Sequence, residues 1–398
     1  MKLGSNGVHL TYCSNIHPGE TWSDVRANLE RYIPVVRDRV NPGEPFGIGL
    51  RLSAQSSAAL TDPDTMGEFR DFLKRNRLYV FTLNGFPYGT FHGARVKEEV
   101  YLPDWRDPER LRYTNELANL LVQLLPDGME GSISTVPGAF KPAIGRSEDV
   151  TRIAENFLRH VAFLIDLKAR SGRHIALAIE PEPFCMLETV DECVTFFEEH
   201  IFSQQAVRSI QEWTGLGATA AADALRAHAG LCLDLCHAAV EFEDAHDCLR
   251  RLDAAGIRVT KLQISAGLRL AQISAESLQA LKQYDDPVYL HQVVQKSGGI
   301  LRRFADLPEA MATVNGVEQA REWRVHFHVP IFLDDLGEFS STRFFIREVL
   351  AIHRERPISE HLEVETYTWG VLPETLRAGG IEKAIARELS WVREELGA

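Results

Sequence analysis

Residues 361–369 read HLEVETYTW, a stretch that combines a strand-like pattern with two carboxylates. Because the side chains of a β-strand alternate between its two faces, Leu362 and Val364 share one face and the acidic residues share the other. Those acidic residues are Glu363 and Glu365. Burying an unpaired ionised carboxylate costs several kcal/mol. A buried strand with this pattern therefore needs a cation or another polar partner beside its acidic face.

Three more strand-like stretches carry a metal-binding residue type near the C-terminal end. The stretch ALAIEPEP leads to Glu180, and LCLDLCH contains Asp234 between two leucines. The stretch WRVHFHVP places His326 and His328 on one face, opposite valine and phenylalanine side chains. The recurrence raises the question of which fold brings the four segments together.

The composition limits the class of protein. A chain of 398 residues with 45% hydrophobic residues can bury a large core, and α/β barrels often exceed ~250 residues, so we predict one elaborated domain over residues 1–398. The net charge of −13 argues against a nucleic-acid partner, which requires clustered Lys and Arg. The cysteines form no CxxC pair, the N-terminus has no signal-like apolar segment, and no stretch approaches ~20 apolar residues. We therefore predict a cytoplasmic protein without a membrane span.

Strand-like segments alternate with amphipathic segments of helical period along most of the chain. Thr21, Pro108 and Ser147 stand at the beginnings of three of these helices, and Gly172 follows the third. Such alternation predicts a parallel sheet covered by helices, and eight such units close into a (β/α)8 TIM barrel of the α/β class. A doubly wound open sheet is the alternative, but the chain lacks a glycine-rich phosphate loop after the first strand.

The chain contains nine strand candidates, one more than the barrel needs. Either KLQIS (261–265) or VHFHVP (325–330) is the seventh barrel strand, and the ordinary spacing from Asp234 to Gln263 favours KLQIS. Residues 268–332 then form an insertion between strands seven and eight, with a β-hairpin of VYLHQVV and ILRRFADL around residues 297–299. Because loops at that end of a barrel surround its active site, we expect VHFHVP to fold over the mouth.

Side chains from different strand ends approach one another at a barrel mouth and could surround one ion. Glu365 is preferred to Glu363 as a ligand because it lies nearer the mouth. Carboxylate and imidazole ligands together suit a divalent metal ion such as Mn, Zn, Co or Mg. The alternatives are salt-bridged strand-end carboxylates and surface histidines on a hairpin. The predicted metal ligands are Glu180, Asp234, His326, His328 and Glu365.

Further residues near the strand ends are candidates for catalysis and substrate binding. The predicted catalytic residues are Glu180, Glu365 and His237, of which either glutamate could act as the base. Lys261 stands near the start of its strand, so we expect a structural role rather than a Schiff base. The aromatic loop after the third strand has the character of a substrate wall, with a hydrophobic plug as the alternative. The predicted substrate-binding residues are Asn15, His17, Asn84, Phe86, Tyr88 and His92.

The motifs EPEP (180–183), DLCH (234–237) and the glutamate-bearing last strand resemble the xylose isomerase-like barrels, a superfamily of sugar isomerases and epimerases. In that superfamily the seventh strand usually offers a histidine, where this chain has Gln263. The resemblance therefore implies that either Gln263 itself, or His326 or His328 from the insertion, completes the metal site.

A larger set of motifs resembles the EboE family, the TIM-barrel members of the bacterial ebo metabolite-traffic cluster. The resemblance spans nearly the whole chain and implies a cluster context with a prenyltransferase, a sugar-phosphate-cyclase-like protein and a hydrolase-like protein. The motifs are LTYCSNIHPGETW (10–22), NGFPYGTFHG (84–93), VYLPDW (100–105), YLHQVV (289–294), WRVHFHVP (323–330) and HLEVETYTW (361–369).

The expected function is a metal-dependent isomerase or epimerase that acts on a small sugar or cyclitol. The ion would polarise a carbonyl group while a glutamate moves the neighbouring proton, and a hydride shift is the rival route. A non-catalytic metabolite-binding or trafficking protein that retains the pocket is the alternative. An endonuclease IV-like metal hydrolase is disfavoured by the acidic charge. The sequence leaves open whether the protein forms a homo-oligomer.

Overall fold

Eight parallel strands alternate with helices and form a barrel in the computed structural model. The structure describes residues 1–4, 7–92, 96–314, 321–377 and 379–398. The strands are β1 (Lys2–Leu3), β2 (Val8–Tyr12), β3 (Phe46–Arg51), β4 (Leu78–Asn84), β5 (Gly131–Thr135), β6 (Ile175–Ile179), β7 (Ala229–Asp234), β8 (Val259–Ile264), β9 (Ala266–Leu270), β10 (Val293–Ser297), β11 (Ile300–Phe304), β12 (Arg321–Val329), β13 (Ser340–Ser341) and β14 (His361–Val364). The helices are α1 (Trp22–Val40), α2 (Ala54–Leu60), α3 (Pro63–Arg75), α4 (Pro108–Leu124), α5 (Ser147–Ser171), α6 (Val190–Phe196), α7 (Gln204–Thr214), α8 (Ala218–His228), α9 (Leu235–Val240), α10 (Ala245–Ala255), α11 (Ala275–Leu281), α12 (Leu307–Ala312), α13 (Arg343–Glu355) and α14 (Ile381–Leu396).

The main sheet has nine strands in the order β1-β2-β14-β8-β7-β6-β5-β4-β3. Short β1 pairs antiparallel with β2, and every other pairing in this sheet is parallel. A parallel bridge between Cys13 and Gly49 joins the two ends of the series, where the Thr11 hydroxyl also donates to the Gly47 carbonyl at 2.7 Å. The predicted (β/α)8 barrel is therefore confirmed, with KLQIS in β8 between β7 and β14.

Local signals set the ends of the helices that cover the barrel. Thr21 caps α1 through a reciprocal capping box with Asp24, in which each side chain accepts from the other's backbone. Pro108 opens α4, where the missing N–H of proline costs nothing because the first N–H groups of a helix have no partner within it. Gly172 ends α5 with φ of 71°, a left-handed conformation that glycine adopts without strain.

A buried ion pair lies inside the barrel below its mouth. The Nζ of Lys261 on β8 lies 2.7 Å from Oε1 of Glu363 on β14, and both side chains are fully buried. The Glu363 carboxylate lies against Gly49 of β3, where a Cβ atom would come within 1.8 Å of Oε2. The ion pair explains how Glu363 of HLEVETYTW can be buried inside the barrel, away from the mouth. It also gives Lys261 a structural role.

A second sheet of five antiparallel strands, in the order β11-β10-β12-β9-β13, lies between β8 and α13 along the chain. The predicted hairpin is present as β10 and β11, although it begins at Val293 rather than Val288. Strand β12 carries both histidines of VHFHVP and pairs with β9 and β10. Of the predicted insertion, residues 315–320 lie outside the described residues, as do residues 93–95 of the aromatic loop.

The sixth barrel strand is shorter than the sequence pattern predicts. Strand β7 ends at Asp234, and α9 begins at Leu235, so Cys236 and His237 belong to a helix rather than to the strand. The Asp234 side chain accepts from the His237 backbone N–H and thereby caps α9, which explains why the strand stops there. Within the described residues, no helix has the length and apolar character needed to cross a bilayer.

Candidate functional site

Three carboxylates meet at the C-terminal end of the barrel. Glu180 follows β6, Asp234 ends β7 and Glu365 follows β14. Each offers an oxygen atom, and these oxygens all lie within 4.8 Å of one another, inside the ~5 Å expected for ligands of a common ion. All three residues are buried. Strands that are distant in the sequence therefore bring three acidic groups to one point.

The protein around the cluster fixes two of the carboxylates. Asp234 Oδ1 accepts from the Ser265 hydroxyl at 2.6 Å, whereas buried Oδ2 has no hydrogen-bond partner among the described residues. Glu365 accepts from the Asn15 side-chain amide at 2.7 Å and from the Gln263 amide at 2.5 Å. These contacts leave one buried oxygen of Asp234 as a free acceptor that a cation would satisfy.

Burial and mutual repulsion perturb the acidity of the cluster. Burial, and then the charges of Glu365 and Asp234, raise the pKa of Glu180 well above its ordinary value. Burial, followed by Asp234 and Glu363, raises the pKa of Glu365 to about 7. Without a cation, the three carboxylates therefore cannot all be ionised near neutral pH.

Three histidines beside the carboxylates each direct Nδ1 at an oxygen atom of the protein. His237 Nδ1 lies 2.8 Å from the Pro181 carbonyl oxygen, His326 Nδ1 lies 2.8 Å from Gln292 Oε1, and His328 Nδ1 lies 2.9 Å from the Glu365 carbonyl oxygen. These oxygens only accept hydrogen bonds, so each Nδ1 carries the proton and donates it. Each neutral imidazole then has its lone pair on Nε2.

The Nε2 atoms of two of the histidines lie close together. Nε2 of His237 and Nε2 of His326 are 3.0 Å apart, and Nε2 of His328 is buried without a partner among the described residues. Burial, and then His237, lower the pKa of His326 well below its ordinary value, and burial lowers that of His328 to about 4. Two lone pairs at this distance repel unless a proton or a cation lies between them.

The residues present fit a divalent metal ion. Potential ligand atoms of Asp234, His237 and His328 lie within 4.8 Å of one another, as do those of Cys236, His326 and His328. The unpartnered Asp234 Oδ2 and His328 Nε2 are the kind of buried lone pair that metal binding satisfies. Oxygen and imidazole ligands together suit Zn, Co or Mn, and the carboxylates alone would also suit Mg.

Gln263 occupies the position where the superfamily resemblance leads one to expect a histidine. Its Oε1 accepts from the Cys232 thiol at 2.6 Å, and its Nε2 donates to Glu365. Both ends of the amide are thus engaged, and Gln263 positions Glu365. The imidazoles of His326 and His328 lie beside the cluster on β12, and their role as ligands stays a prediction.

A cavity with a free interior volume of about 50 Å³ opens above the cluster. Glu180, Glu365, His237 and His326 line its floor together with the predicted substrate-binding residues Asn15 and Asn84, and predicted Phe86 lines its wall. The Asn84 amide is occupied, because it donates to Glu363 at 2.8 Å and accepts from Lys261 at 2.9 Å. Asn15 retains an unpartnered Oδ1.

Three other predicted substrate-binding residues do not line the cavity. His17 stacks on Tyr32 and contacts the Tyr12 hydroxyl, so it faces α1. The Tyr88 hydroxyl donates to Glu109. His92 lies one layer behind the cavity, with Nε2 at 2.6 Å from the Asn15 carbonyl oxygen. These residues follow strands in turns and loops, where side-chain direction has no fixed period.

The cavity also contains residues that the sequence reading did not select. Glu182 is buried, accepts from the Tyr101 hydroxyl at 2.6 Å and lines the floor. Burial raises its pKa. Tyr367 packs against His328 with ring centroids 4.6 Å apart. The sequence did contain a signal for Glu182. If the chain stays extended through EPEP, alternation of side chains places Glu182 on the same side as Glu180.

No family model and no curated protein match the chain. Solved structures that resemble it include a D-tagatose 3-epimerase-like protein, with 11% identity, coverage of 98% of this chain and 97% of that chain, and a TM-score of 0.49. The IolI protein with a binding zinc atom has 14% identity, coverage of 98% of both chains and a TM-score of 0.49. A xylose isomerase domain containing protein from Salmonella typhimurium LT2 has 12% identity, full coverage of both chains and a TM-score of 0.44.

Proposed function

We propose that the protein is a metal-dependent isomerase or epimerase that acts on a small oxygenated carbonyl compound of the sugar or cyclitol class. One observation carries the proposal: three buried carboxylates stand beside three buried imidazoles at the end of the barrel where the cavity opens, and two of the imidazoles direct their Nε2 atoms at each other. In a purely structural cluster of this kind, the only compensating charge among these neighbours would be the Lys261 ammonium, which is already paired with Glu363. A bound divalent ion would supply that charge and act as a Lewis acid on substrate oxygens.

In the proposed reaction, Glu365 takes a proton from the carbon next to the substrate carbonyl. Its pKa of about 7 is suited to a base that works near neutral pH. Hydrogen bonds from Asn15 and Gln263 orient its carboxylate toward the cavity. Glu180, whose pKa is also raised by burial, returns a proton on the neighbouring carbon or on the opposite face. His237 presents its Nε2 lone pair to a substrate hydroxyl.

The ions proposed for the site are divalent Mn, Zn, Co or Mg, held by Glu180, Asp234 and Glu365 with His326 or His328. The second sheet would supply these two histidines, because both lie on β12. A transition ion is the better fit if an imidazole nitrogen enters the ligand set, because Mg prefers oxygen ligands.

The finer assignment to the EboE family, and to an ebo-type metabolite-traffic pathway, is also a proposal. It rests on the six sequence motifs, which include both the floor of the cavity and the aromatic loop above it. The cytoplasm is the proposed location, supported by six free, buried cysteines. The absence of a nucleic-acid partner, supported by the acidic charge, and a homo-oligomeric state stay predictions.

Metal analysis followed by deuterium exchange tests the proposal. Purified protein is analysed for bound metal, loaded with Mn²⁺, Zn²⁺ or Co²⁺, and incubated in D₂O with a panel of ketoses and inososes while NMR follows the C–H signals. We expect about one ion or more per chain and exchange at a carbon next to the carbonyl. Glu365→Gln should stop the exchange, and Glu388→Gln, which changes a buried glutamate outside the cavity, should not.

The outcome separates the proposal from its alternatives. Product formation without deuterium uptake would indicate a hydride shift in the same site. Tight binding of a panel compound without any turnover would favour a metabolite-binding or trafficking protein. A chain that holds no metal at pH 8 would contradict the proposal, because its carboxylates are most available to a cation at that pH.

A further inference from the structure

The upper part of the cavity differs in chemistry from its floor. Six residues form what we call the apolar wall: Phe86, Phe91, Val96, Val100, Tyr289 and Leu290. They belong to the segment after β4 and to the segment before β10. The wall is well packed, since the Phe91 and Tyr289 ring centroids are 5.1 Å apart and both rings contact Val96 in one buried cluster.

The polar groups near the apolar wall are already engaged with other parts of the protein. The Tyr289 hydroxyl lies 2.7 Å from His92 Nδ1, and the Lys97 ammonium lies 2.6 Å from Asp306. The Tyr101 hydroxyl donates to Glu182 and accepts from the Gln292 amide at 3.0 Å. Within the described part of the chain, each of these polar groups therefore already has a protein partner.

A fully hydroxylated substrate does not suit such a wall. Each hydroxyl that leaves water without a new hydrogen-bond partner opposes binding, whereas each apolar group that leaves water favours it. The floor has the opposite character, because Glu180, Glu365, His237 and the free Oδ1 of Asn15 all offer acceptors there. The floor of the cavity therefore favours the hydroxyl and carbonyl groups of a ligand, and the apolar wall favours its hydrocarbon groups.

We infer that the substrate is amphiphilic, with a small oxygenated head on the floor and an alkyl or aryl group against the apolar wall. This inference rests on the proposed function, because it takes the floor to be the reacting end. It narrows the substrate class from free sugars to sugar-like or cyclitol-like compounds that carry an apolar substituent. The substituent would be buried between the segment after β4 and the second sheet.

Hydroxamates of increasing chain length test the inference, because the hydroxamate group chelates a metal ion and its tail can vary. Calorimetry on Zn²⁺-loaded protein compares acetohydroxamate, hexanohydroxamate and gluconohydroxamate. Each buried methylene contributes about a fourfold gain in affinity, so four fully buried methylenes would give about 100-fold or more. We expect hexanohydroxamate to bind at least ~10-fold more tightly than acetohydroxamate, and gluconohydroxamate to gain nothing.

A matched pair of variants locates the effect. Val100→Thr adds a hydroxyl to the apolar wall at nearly constant volume, and Val35→Thr makes the same change at an exposed position on α1. We expect Val100→Thr to weaken hexanohydroxamate binding several-fold, to leave acetohydroxamate binding unchanged, and to leave thermal unfolding close to that of the parent. Val35→Thr should change none of these quantities.

A probe without a chelating group separates this inference from the proposed function. Binding of 4-phenyl-1-butanol to metal-free protein is followed by NMR, with the same two variants. Saturable binding that is weakened by Val100→Thr alone supports the apolar wall even if no hydroxamate binds the loaded protein. Equal affinity for acetohydroxamate and hexanohydroxamate, preference for gluconohydroxamate, or an absence of saturable alcohol binding would overturn the inference.

Discussion

The Glu365 carboxylate should destabilise the metal-free protein above neutral pH, and Glu365→Gln should relieve that effect. Burial and the neighbouring carboxylates raise the pKa of Glu365 from 4.5 to about 7 in the folded protein. Because the folded pKa is above the unfolded value, the native state holds a proton that the unfolded chain releases between these pH values. The contribution to stability is therefore complete below pH 4.5 and is lost as the pH rises through 7.

The size of the effect follows from the pKa difference. At 1.36 kcal/mol per pKa unit, the rise in pKa from 4.5 to about 7 lowers the free energy of unfolding at pH 8 by about 3 kcal/mol, relative to its value at low pH. At pH 5 the corresponding loss of stability is less than about 1 kcal/mol, because Glu365 is protonated in the native state at that pH. The stability of Glu365→Gln relative to the parent should therefore be about 2–3 kcal/mol higher at pH 8 than at pH 5.

Hydrogen bonding in the substituted site should subtract little from this gain. The new amide can still accept from Gln263 through its oxygen. Its NH₂ group would face the Asn15 amide, which now donates to Glu365. Asn15 Oδ1 has no partner, so a turn of the Asn15 amide would allow that oxygen to accept from the new NH₂ group.

Urea unfolding of metal-free protein at pH 5 and pH 8 measures the effect, and calorimetry with Zn²⁺ at pH 8 measures the loss of metal binding. Glu388→Gln is the control, because burial also raises the pKa of Glu388 to about 7 but Glu388 is not part of the carboxylate cluster. That variant should leave metal binding intact. An unfolded Glu365→Gln protein, or a stability difference that does not change with pH, would refute the reasoning.

Three further measurements examine other parts of the site and of the barrel. His328→Ala should lower Zn²⁺ affinity at least ~10-fold, whereas His353→Ala, at another buried histidine with a pKa of about 4, should not; equal affinities in calorimetry would make His328 a structural residue. Metal affinity of the parent should fall about tenfold per pH unit below pH 7, as Glu365 takes up the proton that competes with the ion, and a flat profile would exclude Glu365 as a ligand. Lys261→Met should cost about 3–5 kcal/mol in urea unfolding because it leaves Glu363 buried and unpaired, and adding Glu363→Gln should recover most of that loss; no recovery would show that packing rather than charge is at issue.

The sequence was sufficient for the barrel and for the carboxylates because both depend on local periods. Alternation along a strand shows which side chains share a face, and the order of strands and helices shows which strand ends meet at the mouth. Glu180, Asp234 and Glu365 could be selected on these grounds alone. Capping signals at Thr21 and Gly172 likewise act within a few residues, so the helix ends that they set were predictable.

Residues in loops could not be assigned in the same way. Asn15 and His17 stand two positions apart, yet Asn15 faces the cavity and His17 stacks on Tyr32 of α1. Tyr88 and Phe86 separate in the same manner, because the Tyr88 hydroxyl contacts Glu109. The direction of a loop side chain is set by contacts with distant segments rather than by a repeating backbone geometry.

What the sequence determined by itself is the set of strand-end acids and the fold that gathers them. What only the tertiary structure decided is the state of the histidines. Their tautomers depend on acceptors far away in the chain, since His237 donates to Pro181 and His328 donates to the backbone of Glu365. The convergence of their Nε2 atoms requires β12 to lie across the mouth, a placement set by pairing with β9 and β10. A local sequence pattern can show that a histidine lies near a strand end, but only long-range packing sets the direction of its Nε2 lone pair.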